Sequence, residues 1–132
     1  MILPDTSAWI EFDGGSGSAV HRRLAAAIEK GEALATTGMV MFEVLAGARD
    51  EQRAHDLRRL LARCRFLALD EPSDAEIGAA IYRACRRAGT PPRPGPDCLI
   101  AAVAIRTGTR LLHRDSDFDL IARHSALVLE PA

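Results

Sequence analysis

The fold is constrained most by a regular alternation of short apolar segments with longer amphipathic ones. Five short apolar segments have the length and composition of buried strands: residues 2–3, 33–37, 66–69, 111–113 and 127–129. The segments between them place apolar side chains at helical spacing. Strands that alternate with helices predict a parallel sheet covered by helices on both faces. A chain of 132 residues, 48% of them hydrophobic, is long enough to bury one such core, so we expect a single domain over residues 1–132.

Capping residues and prolines predict where several helices begin and end. Ser18 should open a helix that continues to Lys30. Ser73 is expected to cap a helix over 73–88, with a glutamate at capping-box spacing three residues later. Asp97 is expected to cap a helix over 98–107, and the proline-rich segment 89–96 should form a loop.

The ends of the chain and its cysteines indicate an intracellular protein. The N-terminal apolar run is short, lacks a basic lead and contains an acid, so it predicts neither a signal peptide nor a membrane span. Cys64, Cys85 and Cys98 are odd in number and lack paired spacing, which favours reduced side chains in or near the core. We therefore expect a cytoplasmic protein that does not insert into membranes.

Acidic residues fall where the predicted strands end. Asp5 follows the first strand, and Asp115 comes shortly after the strand at 111–113. Glu43 and Asp97 lie on or at the start of helices that could reach the same edge. In parallel sheets the functional crevice lies at the carboxyl ends of the strands. We therefore expect these four carboxylates to share one site.

Each acid also has a simpler interpretation. Asp97, Asp5 or Asp117 could serve only as a helix cap, and Asp115 could be an ordinary turn residue. Glu43 is different because it is surrounded in sequence by apolar residues, where an ionised carboxylate needs a partner.

The four acids together favour a metal site. Carboxylates within about 4 Å of one another repel by roughly 4 kcal/mol per pair at an effective dielectric near 20, so they require a cation. Hard oxygen ligands select Mg²⁺ or Mn²⁺. Such a centre suits phosphodiester hydrolysis, because it activates water and neutralises charge on the phosphate and on the leaving oxygen.

The residues around these acids carry a family resemblance. The segments DTSAWI at Asp5, FEVLAG at Glu43, DCLIAAVAIRTG from Asp97 and HRDSDFDLIA around Asp115 resemble those of PIN-domain endoribonucleases, and specifically the VapC toxins of VapBC toxin–antitoxin modules. The resemblance implies an α/β fold: a three-layer α/β/α sandwich with a central, mostly parallel sheet. It also implies a Mg²⁺- or Mn²⁺-dependent endoribonuclease acting on tRNA or another structured RNA. The expected partners are a second copy of the chain, as a homodimer, and a VapB-type antitoxin.

The resemblance assigns roles to individual residues. Asp5, Glu43, Asp97 and Asp115 match the catalytic and metal-binding quartet, and Asp117 matches a further metal ligand. Ser7 matches a position that can hydrogen-bond a ligating carboxylate, although it could equally be a helix cap. Arg93 lies where a basic side chain could clamp an RNA phosphate or meet an acid of the antitoxin.

Two positions depart from the family pattern. Pro4 stands where an aliphatic residue is usual, and it cannot donate a ladder hydrogen bond, so it could loosen the strand that presents Asp5. His113 stands where threonine is common. A general-acid role is conceivable for it, but a structural or substrate-contact role is favoured.

Three other functions compete with the nuclease. A haloacid dehalogenase-type phosphatase needs a second aspartate two residues after the first, where this chain has Ser7. A receiver domain needs a lysine after a late strand, and the lone lysine is Lys30. A PIN fold without catalysis, serving as a binding module, would have to keep its carboxylates without a metal, which would lower its stability.

Overall fold

A computed structural model, which describes residues 1–93 and 95–132, contains a parallel sheet between two groups of helices. Its strands are β1 (Ile2–Pro4), β2 (Ala35–Thr36), β3 (Arg65–Phe66) and β4 (Arg110–Leu112). Its helices are α1 (Thr6–Asp13), α2 (Ala19–Lys30), α3 (Gly38–Ala46), α4 (Glu51–Ala62), α5 (Ser73–Arg87), α6 (Asp97–Thr107) and α7 (Ser116–Arg123).

The strands run parallel in the order β3–β2–β1–β4. β1 pairs with β4 and β2 with β3, while a single bridge from Ile2 to Leu34 joins the two pairs. A second bridge, from Leu111 to Leu129, adds the C-terminal segment beside β4. Right-handed crossovers in this order put α1–α4 on one face and α5–α7 on the other. The helix contacts agree, because α1 packs on α2 and α3, and α5 packs on α6 and α7. The predicted α/β sandwich is therefore confirmed.

Pro4 explains why β1 and β2 are joined by only a bridge. The amide of Ile2 points toward β2 and donates to Ala33 O at 3.1 Å. Two residues on, the side that faces β2 is occupied by Pro4, which has no N–H. The other edge of β1 is intact, since Asp5 N donates to Leu112 O at 2.8 Å. The missing hydrogen bond therefore weakens contact with β2, and the backbone of Asp5 stays anchored to β4.

Short polar side chains and glycines set the helix ends as the sequence suggests. Ser18 accepts from the backbone of His21, and Thr37 accepts from that of Val40. Gly31 and Gly108 end α2 and α6 in the left-handed region, at φ 68° and 64°, where a side chain would be strained.

Two predicted caps are wrong. Ser73 and Asp97 are the first residues of their helices, and the N-cap positions belong to Pro72 and Pro96, which provide no side-chain hydrogen bond within the described chain. A proline directly before each helix sets the helical backbone direction one residue earlier than the sequence suggested. The described part of the predicted loop at 89–96 contains no helix or strand, and residue 94 lies outside the described residues.

The core lies on both faces of the sheet. Trp9, Leu3 and Leu24 are buried on the side of α1 and α2, and Ile100 and Phe118 are buried on helices of the other side. Cys64, Cys85 and Cys98 are free thiols that are buried or half-buried, as predicted. Among the described residues, the helices are too short or too polar to cross a membrane.

Candidate metal centre

A cleft of about 310 Å³ opens at the carboxyl edge of the sheet. Four acids come together here. Two hydroxyl-bearing residues, the side chain of Arg93 and the start of α6 also line the cleft. The lining residues are Asp5, Thr6, Ser7, Ile10, Glu43, Arg93, Gly95, Pro96, Asp97 and Asp115. The four carboxylates that the sequence placed at this edge therefore do share one cleft.

The topology accounts for this convergence. Asp5 is the N-cap of α1 directly after β1, and Asp115 is the N-cap of α7 shortly after the adjacent strand β4. Helix α6 precedes β4, so its first residue, Asp97, lies at the edge toward which the strands point. Glu43 comes from the second turn of α3, which begins where β2 ends.

Three acids form the tightest group. Asp97, Asp115 and Asp117 each offer a carboxylate oxygen, and these oxygens lie within 4.8 Å of one another. All three side chains are partly buried. A set of oxygen ligands at this separation fits a hard divalent cation. Asp5 and Glu43 line the same cleft outside this group, and we call the part of the lining that they form its second wall.

Asp5 is fixed in place by Ser7. Asp5 is 4% exposed, and its Oδ2 accepts hydrogen bonds from Ser7 N at 3.1 Å and Ser7 Oγ at 2.9 Å. The Ser7 hydroxyl in turn accepts from Arg114 N at 2.9 Å. Ser7 thus joins the end of β1 to the segment after β4. It is a partner of the Asp5 carboxylate and not a helix cap, because the N-cap of α1 is Asp5.

Glu43 has a partner that the sequence did not reveal. Thr6 Oγ1 donates to Glu43 Oε1 at 2.9 Å, across 37 residues of sequence. This hydrogen bond supplies the polar contact that a carboxylate on an apolar helix requires. Thr6 directly follows Asp5, so consecutive hydroxyls, those of Thr6 and Ser7, hold the two acids of this wall.

Arg93 bridges two members of the three-acid group, Asp115 and Asp117. Its Nη2 donates to Asp115 Oδ2 at 2.7 Å and its Nε donates to Asp117 Oδ2 at 3.1 Å. The Arg93 backbone N–H adds a contact of 3.3 Å to the same oxygen of Asp117. The side chain of Arg93 is nevertheless 77% exposed.

Negative charge remains in excess in spite of Arg93. Burial, together with the neighbouring charges of Asp5, Asp115, Asp117 and Glu43, raises the pKa of Asp97 to about 7. Burial is also the main cause that raises the pKa of Asp5, against the lowering effect of its hydrogen bonds from Ser7. An added cation would favour the ionised form of both groups.

Comparison with known proteins identifies the family. A family model described as "PIN domain" matches residues 2–124. The chain belongs to the PIN domain family. Over 126 residues this PIN domain is 47% identical to Ribonuclease VapC11 of Mycobacterium tuberculosis (strain CDC 1551 / Oshkosh), with 93% of the chain and 92% of the relative covered. It is therefore a VapC-family PIN domain.

Solved structures share the fold. VapBC2 from Rickettsia felis, bound to a DNA fragment from its promoter, superposes with a TM-score of 0.76 at 20% identity, over 98% of both chains. A toxin–antitoxin complex from Klebsiella pneumoniae gives a TM-score of 0.68 at 23% identity, over 89% of this PIN domain and 90% of that chain.

His113 contacts the backbone of Asp115 and the side chain of Asp119. Its Nδ1 accepts a hydrogen bond from Asp115 N at 3.0 Å, while its Nε2 lies 3.2 Å from Asp119 Oδ1. An Nδ1 that accepts cannot carry a proton, so the hydrogen of the neutral ring is on Nε2. The side chain is 10% exposed and packs against Phe118. The arrangement fits the structural role that the sequence favoured for His113.

Helix capping accounts for the positions of some of these acids and not of others. Asp5 and Asp115 do cap helices, yet both also line the cleft. Asp97 lines the cleft without capping its helix. Its position therefore cannot be explained by capping.

Proposed function

We propose that this VapC-family PIN domain, over residues 1–132, is a divalent-metal-dependent endoribonuclease toxin that hydrolyses RNA phosphodiester bonds. The observation that carries the proposal is the convergence of five carboxylates at one cleft, three of which offer oxygens within 4.8 Å of one another. A fold that only bound a partner would have no reason to keep five carboxylates in mutual repulsion. The similarity to a relative named as a ribonuclease supports the same activity.

The residues present fit a metal such as Mg²⁺ or Mn²⁺. Asp97, Asp115 and Asp117 would hold it, because their oxygens are close together and because hard cations prefer such donors. Asp5 and Glu43, on the second wall, would add negative charge around this ion or hold a second ion. When bound, the cation would supply Lewis-acid stabilisation of a nucleophilic water and of the charge that develops on the phosphate.

The side chains around the acids have distinct tasks in this proposal. Ser7 and Thr6 hold Asp5 and Glu43 in fixed orientations, which keeps their oxygens directed at the cleft. Arg93, at the mouth, would clamp a phosphate of the RNA, and its exposure lets it reach substrate. Phosphate contacts of this kind make RNA binding sensitive to salt. The substrate class we infer is tRNA or another structured RNA.

We further propose that a VapB-type antitoxin neutralises the enzyme and that the chain forms a homodimer. A cationic antitoxin side chain, Arg or Lys, that entered the cleft would meet Asp97, the acid whose charge is least compensated. Such a side chain would displace or distort the metal. Toxin–antitoxin complexes among proteins of the same fold support this assignment.

Cleavage of total cellular RNA by the purified protein is the direct test. Mg²⁺ or Mn²⁺ should give cuts at a few discrete sites, and EDTA should abolish them. Asp97→Asn should lower the rate by more than about 100-fold, since losing a ligand should exceed the effect of losing one of its supporting partners. Asp56→Asn, on the exposed surface of α4, is the matched control and should cut like the wild type. Metal-independent cutting, or full activity in Asp97→Asn, would contradict the proposal.

A further inference from the structure

The guanidinium of Arg93 uses the oxygens that a metal would need. Asp115 Oδ1 already accepts from Asp117 N at 3.0 Å, and Arg93 Nη2 takes its other oxygen, Oδ2. Asp117 Oδ2 receives both the backbone N–H and Nε of Arg93. Two members of the three-acid group, Asp115 and Asp117, are therefore engaged by one internal cation.

A guanidinium and a divalent ion would compete for these oxygens. Both are cations, so their mutual repulsion adds to the competition for the same lone pairs. Arg93 cannot leave by losing its proton, because an arginine side chain stays charged in proteins. Release of the carboxylates therefore requires movement of the side chain, and its 77% exposure means that little packing opposes such movement.

We propose that Arg93 is an internal counter-ion of the metal centre, which a divalent cation must displace from Asp115 and Asp117. In the metal-free protein the guanidinium keeps these two carboxylates close together. In the metal-loaded protein it is released at the mouth of the cleft, where it is available to a phosphate of the substrate. This inference rests on the proposed metal-dependent function and adds a competition between metal and protein for the same ligands.

Competition between Arg93 and the metal predicts opposite effects of one substitution on metal binding and on RNA cleavage. Arg93→Ala should bind metal more tightly, because nothing has to be displaced, and should cleave RNA more slowly, because the phosphate contact is lost. A residue that only formed a surface ion pair would change neither property appreciably.

Arg114 provides a matched control for the change in net charge. It is the residue before Asp115, and its side chain pairs with Glu11 at 2.9 Å, away from the three-acid group. Arg114→Ala removes one positive charge near the site and keeps the backbone N–H that bonds Ser7. Any purely long-range effect of charge on metal binding should therefore appear in both variants.

Mn²⁺ and Mg²⁺ binding, measured by isothermal titration calorimetry at constant ionic strength, tests the displacement. We expect Arg93→Ala to bind Mn²⁺ about three- to tenfold more tightly than the wild type, and Arg114→Ala to stay within about twofold. Equal changes in the two variants would reduce the effect to net charge and overturn the inference. Absence of metal binding in all three proteins would instead overturn the proposed metal dependence itself.

The side-chain resonances of arginine give a second readout that is independent of activity. In metal-free protein the Arg93 Nε–H, identified by its loss in Arg93→Ala, should give a separate signal because it is hydrogen-bonded to Asp117. Saturating Mg²⁺ should shift this signal or broaden it into exchange with water. An unchanged Arg93 signal in protein that calorimetry shows to be loaded with Mg²⁺ would overturn the inference and leave the proposed nuclease function standing.

Discussion

Two arginine–aspartate clusters in this chain differ in how their charges are matched. In the first, Arg106 donates through Nε and Nη2 to the two oxygens of Asp74, at 2.9 and 2.8 Å. Asp74 is fully buried and also accepts from Asp70 N at 2.7 Å. The Arg106 guanidinium holds the pKa of Asp74 below its ordinary value, so this pair is ionised and balanced.

The second cluster, at the cleft, is unbalanced. Arg93 bridges Asp115 and Asp117, yet the pKa of Asp97 beside them is raised to about 7. Asp74 is held directly by its arginine, whereas the pKa of Asp97 is raised mainly by burial and then by the neighbouring acids. Removal of one partner from a buried one-to-one pair leaves an uncompensated charge, whereas an added cation relieves the repulsion within an excess of acids. Charge balance, more than residue type, separates a structural ion pair from a functional site.

Removal of one aspartate from each cluster should give the largest difference in stability between the two clusters. Asp74→Asn leaves Arg106 half-buried without a carboxylate, and should lower the free energy of unfolding by about 2–3 kcal/mol, somewhat less than for a fully buried pair. Asp117→Asn removes an acid from the crowded cleft, and should change the free energy of unfolding by less than about 1 kcal/mol. Urea denaturation in EDTA measures both. Equal destabilisation by the two variants would mean that charge balance does not distinguish the clusters.

The sequence predicted the fold and the identity of the cleft acids because these depend on local patterns. Strand ends bring Asp5 and Asp115 to one edge of a parallel sheet, and this follows from topology alone. The contacts that hold these acids were harder to foresee. Thr6 and Glu43 are 37 residues apart, and Arg93 and Asp117 are 24 apart. A threonine directly after Asp5 was a visible signal, but its partner depends on how α1 packs against α3.

Errors in the sequence interpretation arose where two local rules compete. Ser73 and Asp97 are favoured cap residues, but each follows a proline that takes the cap position in the structure. The partner of Arg106 was missed for another reason. Asp74 lies near the start of one helix and Arg106 near the end of the next, and only the packing of α5 on α6 brings them together.

The hydroxyl-held wall of the cleft offers a smaller test. Thr6→Val keeps the shape of the side chain but removes the hydrogen bond to Glu43, so we expect kcat to fall by about tenfold, as for loss of a group that orients a ligand. Stability should change by less than about 1 kcal/mol, because the contact is only partly buried.

Thr6→Ser is the matched control for this wall, since it restores the hydroxyl without the methyl group. Rescue of kcat by serine, at unchanged Mn²⁺ affinity of the three-acid group, would identify Thr6 as the residue that positions Glu43. A loss of kcat in Thr6→Ser equal to that in Thr6→Val would assign the effect to the methyl group and its packing instead.

The smallest expected effect is a difference in pH dependence between the two clusters. Because the folded protein raises the pKa of Asp97 above its ordinary value, its contribution to stability is fully present in acid and is lost as pH rises toward 7. Asn at this position does not titrate. The free energy of unfolding of Asp97→Asn, relative to wild type in EDTA, should therefore increase by about 1–2 kcal/mol from pH 5 to pH 8, a value reduced for partial exposure to solvent.

Asp74 should behave in the opposite way. Its pKa is lowered in the fold, so its contribution is present above the ordinary pKa of an aspartate and is lost only as pH falls below it. The destabilisation caused by Asp74→Asn should accordingly be constant between pH 5 and 8. The two variants should diverge over this range, because Asp97 is buried among other acids whereas Asp74 is paired with Arg106. Parallel profiles would contradict a raised pKa of Asp97 in the folded protein.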